Sequence, residues 1–168
     1  MRQLLVLPLV LGLALPVYAR TAPSLDETAM HTLARTLVAE ASFHTEDYAP
    51  IAWVLHKRWV VYCRNNEPVP FARFVRMYSA LWKPEHTRRK RTIRKLPWGA
   101  AIGEFGGKRW DRARQWVERW NEGGVGDPCP SAMQWGGTMD RPAGHWAPVS
   151  CGRTQNIFYT VSGSRSQT

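Results

Sequence analysis

"LVAEASFHTED", residues 37 to 47, decides how this chain is read. One glutamate, Glu40, stands among Leu37, Val38, Ala39 and Ala41 in a chain rich in lysine and arginine. A carboxylate on an apolar helix face is costly to bury unless it is paired, solvated or used. Working back from it, Leu25, Ala29, Leu33, Leu37 and Ala41 recur at four-residue spacing, which predicts an amphipathic helix. "SLDE", Ser24 to Glu27, reads as its capping box, with Ser24 as N-cap and Glu27 reaching back. The helix is expected to end near Phe43. Glu40 lies on the same helical side as Leu33, Thr36 and Leu37. If that side faces a cleft, burial favours the protonated carboxyl that a general acid for glycosidic cleavage needs. The plainer alternative is an ion pair with Arg35, Lys57 or Arg58.

Working forward, Asp47 reads as the N-cap of a second helix that keeps Pro50 in its tolerated first turn. Its stripe is Ile51, Val54, Leu55, Arg58 and Trp59, running to about Cys63. "NNEPVP" is a loop, after which Pro70 opens a third helix carrying Phe71, Phe74, Val75, Tyr78 and Leu81. "KPEHTRRKRTIRKLP", residues 83–97, is basic and poor in apolar periodicity, and is expected to be a surface loop. A last helix, Lys108 to Trp120, carries Trp110, Ala113, Trp116, Val117 and Trp120. From "NEGGVGDPCP" onward turn residues dominate, with a short extended piece at "NIFYTV". The fold class expected is mainly α: a single domain with an irregular C-terminal third containing short extended segments.

A chain of 168 residues suggests one domain, and a hydrophobic fraction of 44% is enough for a packed core. "MRQLLVLPLVLGLALPVYA", residues 1–19, has the layout of a secretory signal cleaved after Ala19, leaving residues 20–168 as the mature domain. Pro8, Pro16 and the short apolar run argue against a membrane anchor, so no stable membrane insertion is expected after cleavage. The expected location is periplasmic or extracellular. Cleavage removes a single charged side chain, Arg2, and takes the formal charge from +10 to +9. Such a protein is drawn to polyanions, and secretion favours anionic envelope polymers over nucleic acid. The run Arg88, Arg89, Lys90, Arg91, Arg94 and Lys95 could grip phosphates, although a solvated loop with general anion affinity is the plainer reading.

Three cysteines fit an oxidising compartment. Cys129 and Cys151 flank a Gly/Pro-rich stretch that needs a staple, so that pair is expected, with Cys63 buried and free. No Cys-x-x-Cys or His-x-x-x-His spacing supports a zinc site, and no metal or cofactor is expected. Nine tryptophans require a use. Trp53, Trp59 and Trp110 read as core, whereas Trp135 and Trp146, in the Gly/Pro-rich region, suit a groove in which rings stack on sugar faces. His44 and His56 could act as acid or base, but an isolated histidine more often only satisfies a hydrogen bond. No Gly-x-Ser-x-Gly, P-loop or dinucleotide fingerprint occurs.

Four segments, in order, resemble the spore-cortex-lytic type of cell wall hydrolase, a lysozyme-like family of peptidoglycan-cleaving enzymes. "LARTLVAEA" resembles the family's opening helix, whose glutamate before alanine is the catalytic acid and falls on Glu40. "IAWVLHKRW" resembles its second helix, with His56 replacing the usual asparagine. "DPCPSAMQW" resembles its Asp-Pro stretch, here Asp127, Pro128, Ala132, Met133 and Trp135. "TQNIFYT" resembles its closing segment, with Asn156 in place of the usual histidine before Ile157 and Phe158. The likeness runs from about Leu33 to Tyr159, and residues 83–107 have no counterpart in it.

The resemblance implies a lysozyme-like or lytic-transglycosylase-like domain acting on peptidoglycan, with Glu40 as general acid and base. It also implies substrate contacts at His56, Asn156 and Tyr159, beside Trp135 and Trp146. A hydrolase of either stereochemistry needs a second positioned carboxylate, and Glu46, Asp47, Asp127 and Asp140 are available, Asp47 and Asp127 first. A lytic transglycosylase can work with one, so that reaction is favoured. The competing reading is a non-catalytic basic module that binds anionic wall polymer or extracellular nucleic acid.

Overall fold

The computed structural model describes residues 24–41, 44–84, 87–96, 107–137 and 144–162. The expected signal segment, the expected helix end at Phe43 and Asp140 lie outside the described residues. Helix α1, Glu27–Glu40, is the hub on which the other helices pack. Leu33, Ala34, Leu37 and Val38 are completely buried on it. Burial extends beyond the predicted stripe to Thr32 and Thr36, because neighbours cover several sides of the helix. Those threonines stay satisfied: Thr36 Oγ1 donates to the Thr32 carbonyl (2.8 Å) and accepts from Trp82 Nε1 (3.1 Å). The N-cap is Asp26 rather than Ser24. Asp26 has extended backbone, and its carboxylate accepts from the Ala29 N–H at 2.7 Å. At the other end Ala41 closes the helix, donating to Leu37 O.

A 3-10 turn at Thr45–Asp47 leads into α2, Tyr48–Asn65, which holds Pro50 in its first turn and runs two residues past Cys63. Ile51, Val54 and Leu55 are buried as their spacing predicts, and Trp53 with them. Helix α3, Phe71–Tyr78, is shorter than expected. Pro70 precedes it as N-cap, and Ser79 turns extended, so Leu81 falls in a separate 3-10 turn, Ala80–Trp82.

The expected surface loop is corrected at its centre. Arg88–Arg94 is a helix, α4, capped by Thr87, whose Oγ1 accepts from the Lys90 N–H. Its anchors are Ile93 and, just beyond it, Leu96. One buried side chain in two turns is too sparse to register as periodicity. Helix α5, Lys108–Asn121, presents Trp110, Ala113, Trp116, Val117 and Trp120 to the core, as predicted.

The C-terminal third forms a small antiparallel sheet of β1 (Gln134–Gly136), β2 (Trp146–Val149) and β3 (Ile157–Val161), in the order β1-β3-β2. Trp135 pairs with Phe158 across β1 and β3, and Pro148 with Tyr159 across β2 and β3. Only β3 is legible in the sequence, since strands of three and four residues carry too little pattern. Cys129 and Cys151 form the expected disulfide, with Cα atoms 5.1 Å apart. Cys63 is free, but half-buried rather than buried, with its Sγ 3.8 Å from Val69 O. The disulfide is consistent with an oxidising compartment. Among the described residues no helix is long and apolar enough to cross a membrane.

Candidate active site

Glu40 is the last residue of α1, where the helix runs out into a cleft between the helical body and β1. The cleft has a volume of about 220 Å3 and is lined by Glu40, Tyr78, Ser79, Gln134, Trp135 and Asn156, with Ala80, Gly136 and Gly137. A second cavity, about 330 Å3, opens on the other side of Glu40 and is lined by Leu81, Thr87, Arg89, Lys90 and Ile93. Among the described residues Glu40 is the one carboxylate that lines either cavity.

Its geometry is set by Ser79, which is buried where α3 ends. Ser79 Oγ accepts the Leu81 N–H at 3.1 Å, which directs its own proton to Glu40 Oε1, 2.6 Å away. A hydroxyl has one proton, so this bond fixes which carboxyl oxygen is an acceptor and leaves Oε2 to the cleft. The ion-pair alternative is not realised. Arg35 donates to Leu96 O (2.9 Å), Lys57 to Asp127 (3.0 Å), and Arg58 to Met133 O (3.1 Å), Gln134 Oε1 and Tyr78 OH.

Asn156 is held at the cleft by a device the sequence did not reveal. Asp47 is fully buried; its Oδ1 accepts from the Gln155 N–H (2.9 Å), and its Oδ2 from the Asn156 N–H (3.1 Å) and Nδ2 (2.8 Å). Asn156 Nδ2 also donates to the Glu40 carbonyl at 3.3 Å. Asp47 therefore locks the start of β3 onto the end of α1. Burial pushes its carboxyl above the usual range while the three donors from Gln155 and Asn156 oppose that shift. With both oxygens engaged away from the cleft, it is an anchor and not the second carboxylate suggested above. Asp127 is likewise spent, pairing with Lys57 and accepting the Cys129 N–H at 2.9 Å. Glu46 is exposed and lies 3.4 Å from His44, outside both cavities.

Of the expected contacts, Trp135 and Asn156 meet Glu40 in one cleft. Trp146 lines a neighbouring cavity instead, and Tyr159 is buried in the sheet, lining neither cavity beside Glu40. His56 is corrected outright. It is buried among Trp53, Trp59 and Trp120, with ring centroids 5.6, 5.9 and 6.1 Å away, so it cannot touch a ligand in the cleft. Its Nδ1 has no hydrogen-bond partner, and desolvation lowers its pKa to about 4. Ser79, Tyr78 and Gln134 were missed. All three sit at element ends in "MYSA" and "MQWG"; no periodic signal marks Ser79 or Gln134, and the signal at Tyr78 reads only as the apolar stripe of the third helix. The described residues contain no cluster of three or more His, Cys, Asp or Glu able to hold a metal.

Comparison with protein-family models, curated proteins and solved structures finds no match to this chain.

Proposed function

We propose that this protein cuts the glycan strand of peptidoglycan with Glu40 as its single acid–base group, in the manner of a lytic transglycosylase. The observation that carries this reading is the Ser79-oriented Glu40 carboxyl at the end of α1, set opposite Trp135 and Asn156 in an open cleft. Glu40 protonates the glycosidic oxygen, the C1–O bond breaks, and the leaving sugar departs as an alcohol. The muramoyl 6-hydroxyl then bonds to C1 and returns its proton to Glu40, so no water is consumed. Tethering gives that hydroxyl a large effective concentration over solvent. Trp135 offers a ring face for a sugar, and Asn156 and Gln134 offer amides for its hydroxyl and acetamido groups. A lysozyme-like relationship belongs to this proposal, supported by a mainly helical body whose catalytic helix ends against a small sheet.

The experiment is digestion of purified residues 20–168 with peptidoglycan and mass analysis of the soluble products. Products should end in 1,6-anhydro sugars, and Glu40→Gln, which removes the transferable proton, should lower the rate about 10²-fold or more. Reducing ends carrying ¹⁸O from labelled water would instead indicate a hydrolase with a further water-activating group. The second reading, a basic module that only binds anionic polymer, draws on Arg89 and Lys90 in the cavity beside Glu40. Undiminished wall binding with no turnover in the parent protein would favour it.

A further inference from the structure

On the far side of Tyr78 from Glu40 lies a third cavity, about 290 Å3, near the lower end of ligand-site volumes. Tyr78 lines both it and the cleft, and the two also meet at the start of β1, where Met133, the residue before the strand, lines one and Gln134 the other. The geometry points to a second sugar subsite here, one that extends the Glu40 cleft and holds the uncharged stretch of a longer glycan strand. This rests on the proposed reading of the cleft.

The walls are built as a sugar site requires. Trp146 on β2 supplies the aromatic face, Tyr78 at the end of α3, stacked on Phe74 with ring centroids 4.6 Å apart, supplies its edge, and Arg58 ties the two together. Its guanidinium carbon lies 4.1 Å from the Tyr78 ring centroid and 5.9 Å from that of Trp146, and it also donates to Tyr78 OH and the Met133 carbonyl. A ring braced in this way loses little freedom when a ligand stacks on it. The floor brings two amides. Asn65 Nδ2 donates to Val61 O (2.9 Å) and Asn66 Nδ2 to Tyr62 O (3.0 Å), which holds both side chains and leaves each Oδ1 able to accept from hydroxyl or acetamido groups.

Exposure singles out the same place. Val61, Tyr78 and Val161, at 44%, 37% and 45%, are three of the four most exposed large apolar side chains among the described residues, and all three line this cavity. Apolar surface gathered around a cavity marks a binding site rather than ordinary surface scatter. No carboxylate lines it, and its one cation is held by the contacts above, so an uncharged, amphipathic ligand is the match. Pyranose rings, with C–H faces and hydroxyl edges, have that character. Continuity with the cleft selects the glycan strand over an unrelated molecule.

The test titrates the uncharged N-acetylglucosamine tetramer into the Glu40→Gln variant by calorimetry, with and without further substitutions. Adding Trp146→Ala should weaken binding about tenfold, the size of one lost ring contact, whereas Trp146→Phe should retain most of the affinity. Val61→Asp, an exposed change on the opposite wall, should weaken it as well without relying on the sheet. Loss in both, with an unchanged melting temperature, supports the subsite. It does so even if Glu40→Gln still lyses wall, a result that would sink the catalytic reading alone. Unchanged affinity in folded Trp146→Ala and Val61→Asp, or no measurable tetramer binding at all, overturns the subsite while leaving the role of Glu40 standing. A parent dimer that becomes monomeric on Trp146→Ala in sedimentation would overturn it too, by giving the cavity to a second copy of the chain.

Discussion

Ser79 and His56 carry the residue-scale consequences. Ser79→Ala removes the donor to Glu40 Oε1, a charge-assisted bond when the carboxylate is ionised. The expected outcome is a roughly tenfold fall in kcat on wall fragments with KM little changed, because positioning is lost rather than binding. The Leu81 N–H also loses its acceptor, so the melting temperature should drop slightly. A kcat equal to the parent's would show that Glu40 needs no orientation. His56 makes a prediction about pH. Its pKa is about 4 in the folded protein against 6.5 for the free side chain, so the unfolded chain binds more protons between those values. The contribution of this histidine to stability is complete above 6.5 and is lost as pH falls toward 4, by about 3 kcal/mol in all. Urea midpoints measured across that range should fall steeply in the parent and less steeply in His56→Gln, which does not titrate.

At the scale of elements, the disulfide and Asp47 hold the sheet that walls the cleft. Cys129 and Cys151 enclose β1 and β2, and with them Gln134, Trp135 and Trp146. Closing a loop of this size stabilises the fold by about 3 kcal/mol. Reduction should therefore lower the melting temperature and, since β1 forms the cleft wall, lower activity at temperatures where the helices remain folded. Peptide mapping without reductant should find Cys129 linked to Cys151 and Cys63 alkylated. A reduced protein with full activity near its melting temperature would separate the sheet from the site. The register of this sheet was not legible beforehand. β3 stood out by its run of Ile157, Phe158 and Tyr159, but β1 and β2 are defined only by pairing to it. Helix α4 was missed for a related reason: beyond its Thr87 cap it is held by one buried isoleucine and by packing on α1, not by a pattern of its own.

Over the whole molecule the charge is uneven in its effect. Arg88 and Arg91 are exposed on α4 and line neither cavity beside Glu40, whereas Arg89, also exposed, and half-buried Lys90 line the second of them. On the proposed reading the first pair would act through screened, long-range attraction, which fades beyond about 8 Å at physiological salt. Arg88→Gln with Arg91→Gln should weaken association with intact wall, more so at low salt, and spare turnover of short soluble glycans. Arg89→Gln with Lys90→Gln should reduce both. Equal losses on short and polymeric substrates in the Arg88 and Arg91 variant would contradict the division.

What the sequence alone determined is the local and the periodic. It set the helices α1, α2, α3 and α5, the cysteine pair that closes the C-terminal third, and Glu40 as a carboxylate out of place on an apolar helix. Spacing of 3.6 residues and side-chain chemistry are properties of neighbours along the chain, so they can be read there. Only the tertiary structure decided which polar residues meet. It placed Ser79 against Glu40 across 39 positions and Asp47 against Asn156 across 109. It also sent His56 into the tryptophan core and Trp146 to a cavity of its own. Those outcomes depend on how α1 packs against its neighbours and on the register of a three-stranded sheet. Both are settled by burial summed over the whole fold, and a single side chain carries no mark of that in its own stretch of sequence.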